Sequence, residues 1–294
     1  MPTLYVAAPS YALTGPLERD RILTVAHAVA GAAGFTVVPS PLLERHVPGW
    51  GAWLPAVERT ADLLTAITHD AVWACKGGYG CVHAVPALLA ATTTKQPLLA
   101  GYSDATVLHA VWRRRGWGEG LYGHLGKTRG GREESSALSL LRGAGYARDH
   151  ATDAGARVLR AGTAEGPAFA ACLSVLARLV GTGAVPDLSG HVLFCEDIDD
   201  KPFQIDHAFE QLHQAGHLRG ITALVGGTFT YQERNDYLGP TADELLAAWG
   251  ERLQVPVLSR LPFGHLDDQL VIPSGRRTTL TLTQDSWNLT FHPR

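Results

Sequence analysis

The segment DAVWACKGGYGCVHAVPALLA, residues 70–90, decides the fold. An apolar run, a glycine-rich turn and a helix-like stretch follow one another without a break, as a strand feeding a helix would. Pro86 must lie in the first turn of that helix or kink it. The alternation continues on both sides. TLYVAAP reads as a strand, LERDRILTVAHAVAGAAG as a helix with a glycine beyond its end, and FTVVPS as a second strand. PAVERTADLLTAITH is helical and PLLAGYS is a further strand. Such β-α-β-α-β order predicts a parallel sheet covered by helices.

After about Gly123 the pattern weakens. GKTRGGREESSALSLLRGAGYARDHATDAG is polar and rich in glycine, and it predicts a linker with one short helix. A second organised region begins near Ala164. FAACLSVLARLVGTG reads as helix, HVLFCEDI as strand and IDHAFEQLHQAGHL as a long helix; TTLTLTQDSWNLTF alternates like antiparallel strands. The expected architecture is α/β in two domains. Residues 1–123 form an N-terminal parallel sheet with flanking helices, 124–163 a linker, and 164–294 a mixed α/β domain with antiparallel strands.

Composition narrows the function. With 294 residues, 46% of them hydrophobic and 18% charged, the chain can bury a substantial core. A net charge of -3 gives no basic footprint for nucleic acid, and the RRRGW cluster at Arg113–Trp117 reads as a solvated helix end. No uncharged apolar run approaches the ~20 residues needed to cross a bilayer. The N-terminus lacks a basic start and an apolar signal core, so the expected location is the cytoplasm. In that compartment Cys75, Cys81, Cys172 and Cys195 do not suggest a disulfide framework.

Three places could carry chemistry. Cys81 leaves the glycine turn where a helix would begin, and unpaired N–H groups with the helix dipole would favour its thiolate there. The same N–H groups could hold an oxyanion. The plain alternative, an inert buried cysteine behind a tight turn, stands beside that reading. Glu196, Asp197, Asp199 and Asp200 gather at a strand end, where α/β sites collect, although acidic loops are common. His265 stands in LPFGHLDDQLVIPSG, a loop that can present an imidazole into a cleft. Other patterns fail. The first glycine of a phosphate loop ending in GKT would fall on Leu121, and a Cys-phosphatase loop would need arginine where Ala87 stands. Cys75, Cys81 and His83 could suggest zinc but lack a second cysteine pair at ligand spacing.

In order along the chain, VAAPS, KGGYGC, GYSDATVLHA, the long block from LSVLARLVGTG to FEQL, and LPFGH resemble the LD-carboxypeptidase family, which includes the microcin-immunity peptidases. The resemblance implies a two-domain α/β hydrolase with a Ser-His-Glu triad and a homodimeric assembly. It puts the nucleophile on Cys81, in place of the family's serine, the orienting acid on Glu196 and the base on His265. It implies oxyanion donors at the N–H groups of Gly78 and Val82, and puts Ser103 and Asp104 at the border of the site. Lys76 replaces the family's arginine and Cys172 its asparagine; Lys76 is the nearest cation in sequence to Cys81. The implied reaction is release of the terminal D-Ala from a murein tetrapeptide, with no metal or cofactor needed. Alternatives are a related amidase acting on another peptide conjugate, a glutamine-amidotransferase-like enzyme, and a non-catalytic two-domain binding protein.

Overall fold

The computed structural model describes residues 1–125, 130–231 and 236–294. The GKT pattern at 126–128 therefore lies outside the described residues. The chain begins β1 (Thr3–Ala7), α1 (Pro16–Ala32), β2 (Thr36–Pro39), α2 (Ala56–Ala66), β3 (Ala71–Ala74), α3 (Val85–Ala90), β4 (Leu98–Gly101), α4 (Thr106–Arg115) and β5 (Gly120–Tyr122). Neighbouring strands in the order β2-β1-β3-β4-β5 are parallel. β3 and β4 are buried at every residue, as strands covered by helices on both faces must be. The helix expected after the glycine turn is shorter than its pattern. A 3-10 turn over Cys81–Ala84 comes first, and α3 restarts with Pro86 in its opening turn. Proline has no N–H to give, so the α-helical ladder cannot run unbroken across Pro86.

The second half runs α5 (Arg132–Leu141), β6 (Tyr146–Asp149), β7 (Arg157–Arg160), β8 (Gly162–Cys172), α6 (Leu173–Arg178), β9 (Val192–Asp197) and α7 (Pro202–Gln214). It continues with β10 (Ala223–Phe229), α8 (Ala242–Leu253), β11 (Val257–Ser259), β12 (Ile272–Ser274), β13 (Arg277–Leu282) and β14 (Trp287–Phe291). Eight strands form one mixed sheet, β6-β14-β13-β8-β9-β10-β11-β7. Its centre, β8 to β11, is parallel, while β13, β14, β6 and β7 pair antiparallel.

Three readings change here. Phe169–Cys172, expected to open a helix, are the buried end of β8, and the helix starts only at Leu173. A strand buried on both faces shows the same unbroken apolar run as a buried helix. The stretch expected as a linker with one short helix supplies that helix, α5, and in addition two edge strands: β6 beside β14 and β7 beside β11. Finally, β12 leaves the second half to pair antiparallel with β5, with Ile272 opposite Tyr122. That crossing carries the loop before it, with His265, over the C-terminal ends of the first sheet. Among the described residues no helix is long and apolar enough to cross a membrane.

Candidate active site

The site is built where β4 ends. Gly101 takes φ 146°, and a Cβ there would lie 3.0 Å from the Cβ atoms of both Ala74 and Ala105, so the turn closes only on glycine. Buried His109, on α4, makes a 2.9 Å bond from Nε2 to the Gly101 carbonyl. Burial pushes its imidazole down to about 4, so it is neutral and Nε2–H donates. Two residues on, Ser103 adopts φ 61°. A side-chain-bearing residue is rarely found there, at a cost on the order of 1–3 kcal/mol. Ser103 opens a 3-10 turn leading straight into α4. Strand, strained serine and helix in succession form a sharp elbow at the C-terminal end of a parallel strand, the geometry in which a side chain is presented outward.

His265 comes from the loop between β11 and β12. Its Nδ1 lies 2.7 Å from Glu196 Oε2 and its Nε2 lies 3.2 Å from Ser103 Oγ. A carboxylate can only accept, so Nδ1–H donates to Glu196, and the Nε2 lone pair accepts from the Ser103 hydroxyl. The loop reaches Glu196 because residue 264 is glycine at φ 104°; a Cβ there would sit 2.6 Å from Glu196 Cγ and Oε2. Glu196 is fully buried at the end of β9. Its second oxygen, Oε1, accepts from the Tyr122 hydroxyl at 2.6 Å. Both carboxylate oxygens thus have partners, which a buried charge requires. Tyr122 also accepts from the Ser103 N–H at 3.2 Å, linking the elbow to the acid through one oxygen. Burial, then the Glu196 charge, pushes the Tyr122 hydroxyl well up, so it stays protonated and donates. Tyr102 stands with its ring 5.1 Å from that of His265 and 4.4 Å from that of His124.

Cys81, the nucleophile implied by the resemblance, is not brought to His265. Cys81 is wholly buried in the apolar core, and its Sγ meets Ser10 Oγ at 3.4 Å. The His265 ring instead bonds Glu196 and Ser103. Burial, and then the nearby Asp104 carboxylate, pushes the Cys81 thiol well above its ordinary value, which suppresses the thiolate instead of favouring it. Asp104, also buried, is a strut: Oδ2 accepts from Ser10 Oγ at 2.6 Å and from the Cys81 N–H at 2.9 Å. It fastens the elbow to the glycine turn and to the loop after β1.

The glycine turn nonetheless borders the serine. A Cβ on Gly77 would lie 3.3 Å from Ser103 Cβ, and one on Gly78 would lie 2.1 Å from the Tyr11 ring. Val82 lies past Cys81 in the 3-10 turn, partly buried against the core. Lys76 Nζ donates to the Ala12 carbonyl at 2.9 Å and pairs with Glu18 at 2.8 Å. Cys172 is buried, with its N–H on Thr106 Oγ1 at 2.9 Å. Asp197, next to the acid, faces elsewhere: it accepts from the Ser174 N–H at 2.7 Å, at the start of α6. Asp199 and Asp200 continue into the loop beyond. Tyr122 and Tyr102 escaped the sequence reading. Their signal was position alone, at the ends of β5 and β4, the two strands that follow β3 and its glycine turn along the sheet.

The model of the LD-carboxypeptidase N-terminal domain matches residues 4–123, and that of the LD-carboxypeptidase C-terminal domain matches residues 165–280. The chain belongs to the LD-carboxypeptidase family, a family of peptidases. The murein tetrapeptide carboxypeptidase of Pseudomonas aeruginosa is 26% identical over 265 residues, 83% of this chain and 85% of that protein. Among solved structures, the muramoyltetrapeptide carboxypeptidase of Oxalobacter formigenes superposes with a TM-score of 0.78 at 22% identity, over 98% of this chain and 99% of that one. The MccF structure in complex with glutamyl sulfamoyl guanosine does so at 0.77 and 16% identity, over 100% and 96%. At such identities these superpositions speak for the fold alone.

Proposed function

We propose that this peptidase releases the terminal D-Ala from murein tetrapeptides, with Ser103 as nucleophile, His265 as base and Glu196 as the group that orients it. The observation that carries this reading is the unbroken line from Glu196 Oε2 through both His265 nitrogens to Ser103 Oγ. In the proposed reaction, Ser103 Oγ attacks the carbonyl carbon of the bond to D-Ala while His265 Nε2 takes its proton. The oxyanion is assigned to the N–H of Asp104, the residue after the nucleophile, and to an N–H of the Gly77–Gly78 turn. His265 then protonates the departing D-Ala nitrogen as the carbon–nitrogen bond breaks. Water, giving its proton to the same imidazole, attacks the acyl ester and frees Ser103. Throughout, Glu196 and the Tyr122 hydroxyl hold the ring in its useful tautomer. The amidotransferase alternative required Cys81 against the base, and its support falls with that assignment.

One observation favours a second reading, an amidase for a peptide conjugate. Tyr11, Trp50, Trp53 and Tyr79 form a linked aromatic cluster on the glycine turn, with ring centroids 5.4–6.4 Å apart and Trp50 almost fully exposed. A planar conjugate could stack there. The test is to incubate the protein with murein tetrapeptide and, separately, with an aminoacyl sulfamoyl nucleoside, and to follow free D-Ala and free amino acid by mass. D-Ala release that disappears in Ser103→Ala and persists in Cys81→Ala is the expected result. Cleavage of the conjugate alone would replace the first reading with the second.

A further inference from the structure

Resting on the peptidase reading, we infer that a cleft beside the elbow is a carboxylate-binding subsite, with Arg21 and Lys76 as its anchors. The cleft, about 320 Å³, is lined by Gly77 and Tyr102 at its catalytic end. Gly77 packs on Ser103 and Tyr102 on His265, so a ligand in the cleft is continuous with one over the serine. Its walls include Ile22 and Trp73, and its charged groups are Glu18, Arg21 and Lys76.

The charge count decides the ligand. Glu18 is already engaged: it accepts from the Thr14 N–H at 2.7 Å, from the Thr14 hydroxyl at 2.9 Å and from Lys76. Burial opposes its ionisation, yet the hydrogen bonds from Lys76 and Thr14 hold its carboxyl below the usual range. An ammonium group has three N–H donors. Lys76 uses one on Ala12 and one on Glu18, which leaves one to give. Arg21 is exposed, and no ion pair is seen for it among the described residues. One carboxylate against two cations leaves the cleft with one uncompensated positive charge, and with donors to spare. An anion with planar acceptor oxygens suits a guanidinium and an ammonium together.

A tetrapeptide substrate carries such a carboxylate in two places that could reach the cleft. One is the terminal carboxylate of D-Ala. The other is a side-chain carboxylate on the diamino acid before it, present in diaminopimelate and absent in lysine. A cleft of this size holds roughly ten waters at ~30 Å³ each, enough for either.

The test reads binding to full-length Ser103→Ala protein by calorimetry. Four tetrapeptides serve as probes, with diaminopimelate or lysine in third place and the terminal D-Ala free or amidated. Removal of one of the two carboxylates should weaken binding at least tenfold, and adding Arg21→Gln should bring that ratio to within threefold. Sensitivity to amidation assigns the cleft to the terminal carboxylate; sensitivity to lysine assigns it to the side chain. Equal binding of all four peptides, absence of binding included, overturns the inference. So does a ratio that neither Arg21→Gln nor Lys76→Gln moves. Turnover by the unsubstituted protein is scored apart. D-Ala release without any binding ratio sinks the subsite alone. A ratio abolished by Arg21→Gln without D-Ala release sinks the carboxypeptidase reading and supports the subsite.

Discussion

Two turns leave neighbouring parallel strands, β3 and β4, and both deliver a potential nucleophile to a 3-10 turn before a helix. In the first, the left-handed conformations fall on Gly78 at φ 113° and Gly80 at φ 136°, and Cys81 follows with its side chain in the core. In the second, Gly101 takes φ 146° and the proposed nucleophile, Ser103, itself takes φ 61°. The residue that accepts the strained φ is the one whose side chain stands out of the sheet toward His265. The intrinsically better nucleophile thus lies where neither base nor solvent reaches it. The weaker one is aimed, and its strain is held by the Ser103 N–H bond to the Tyr122 hydroxyl and by the bonds that the next residue, Asp104, accepts from Ser10 and the Cys81 N–H. On the proposed reading aim outweighs residue type, because a serine with a positioned base outperforms a thiol held protonated.

The largest effect that could break this comparison is on the serine. Ser103→Ala should lower kcat on a murein tetrapeptide by about 10⁴–10⁶-fold, the range for loss of a triad serine, with circular dichroism unchanged. Residual turnover within tenfold of the parent would mean that the elbow is not the reacting centre.

Next in size is the acid. Glu196→Gln should reduce kcat by about 10²–10⁴-fold with KM little moved, because the amide cannot hold the imidazolium that forms. The neighbouring Asp197→Asn is its control and should leave kcat within a few-fold. Its effect falls on stability. Burial, and then Asp200, raises the Asp197 carboxyl to about 6, above its ordinary 3.8. The native state therefore holds that proton more tightly than the unfolded chain. This contribution is fully present below about pH 4 and is lost as pH rises through 6, by up to roughly 3 kcal/mol at 1.36 per unit. Urea unfolding at pH 4 and pH 6.5 should show that decline, and it should be smaller in Asp197→Asn.

What was legible in the sequence follows from where the physics is local. β1, β3 and β4 announced themselves because strands buried on both faces are short apolar runs between turns. The end of β8 misled for the same reason, and β6 and β7 were hidden because a half-exposed edge strand of four residues carries little pattern. Glu196 and His265 each stood out at a strand end and in a glycine-flanked loop, and the structure brings them within 2.7 Å. The choice between Cys81 and Ser103 was not legible. It depends on one backbone dihedral, on the burial of a sulfur and on the path of β12 across to β5. Tyr122 was hidden likewise, since its two bonds span 19 and 74 residues of sequence.

The smallest expected effect is the sharpest test of the comparison. Cys81→Ala removes a sulfur that touches Ser10 and leaves the Asp104 strut, which holds Cys81 by its backbone N–H. Activity should stay within about threefold, with a modest loss of stability from the missing core atom. In the parent protein, iodoacetamide at pH 8 should modify Cys81 far more slowly than an exposed cysteine in a model peptide. Only the thiolate reacts, and burial together with the Asp104 charge suppresses it. Asp104→Asn removes that charge, so the Cys81 thiol should fall toward its ordinary value and its alkylation should quicken. The same change loosens the strut beside Ser103, so kcat should fall while the thiol grows more reactive. Opposite movement of the two readings is the signature of a serine site with a buried cysteine behind it. Were kcat and thiol reactivity to rise and fall together across Cys81 and Asp104 variants, the sulfur would be the reacting atom after all.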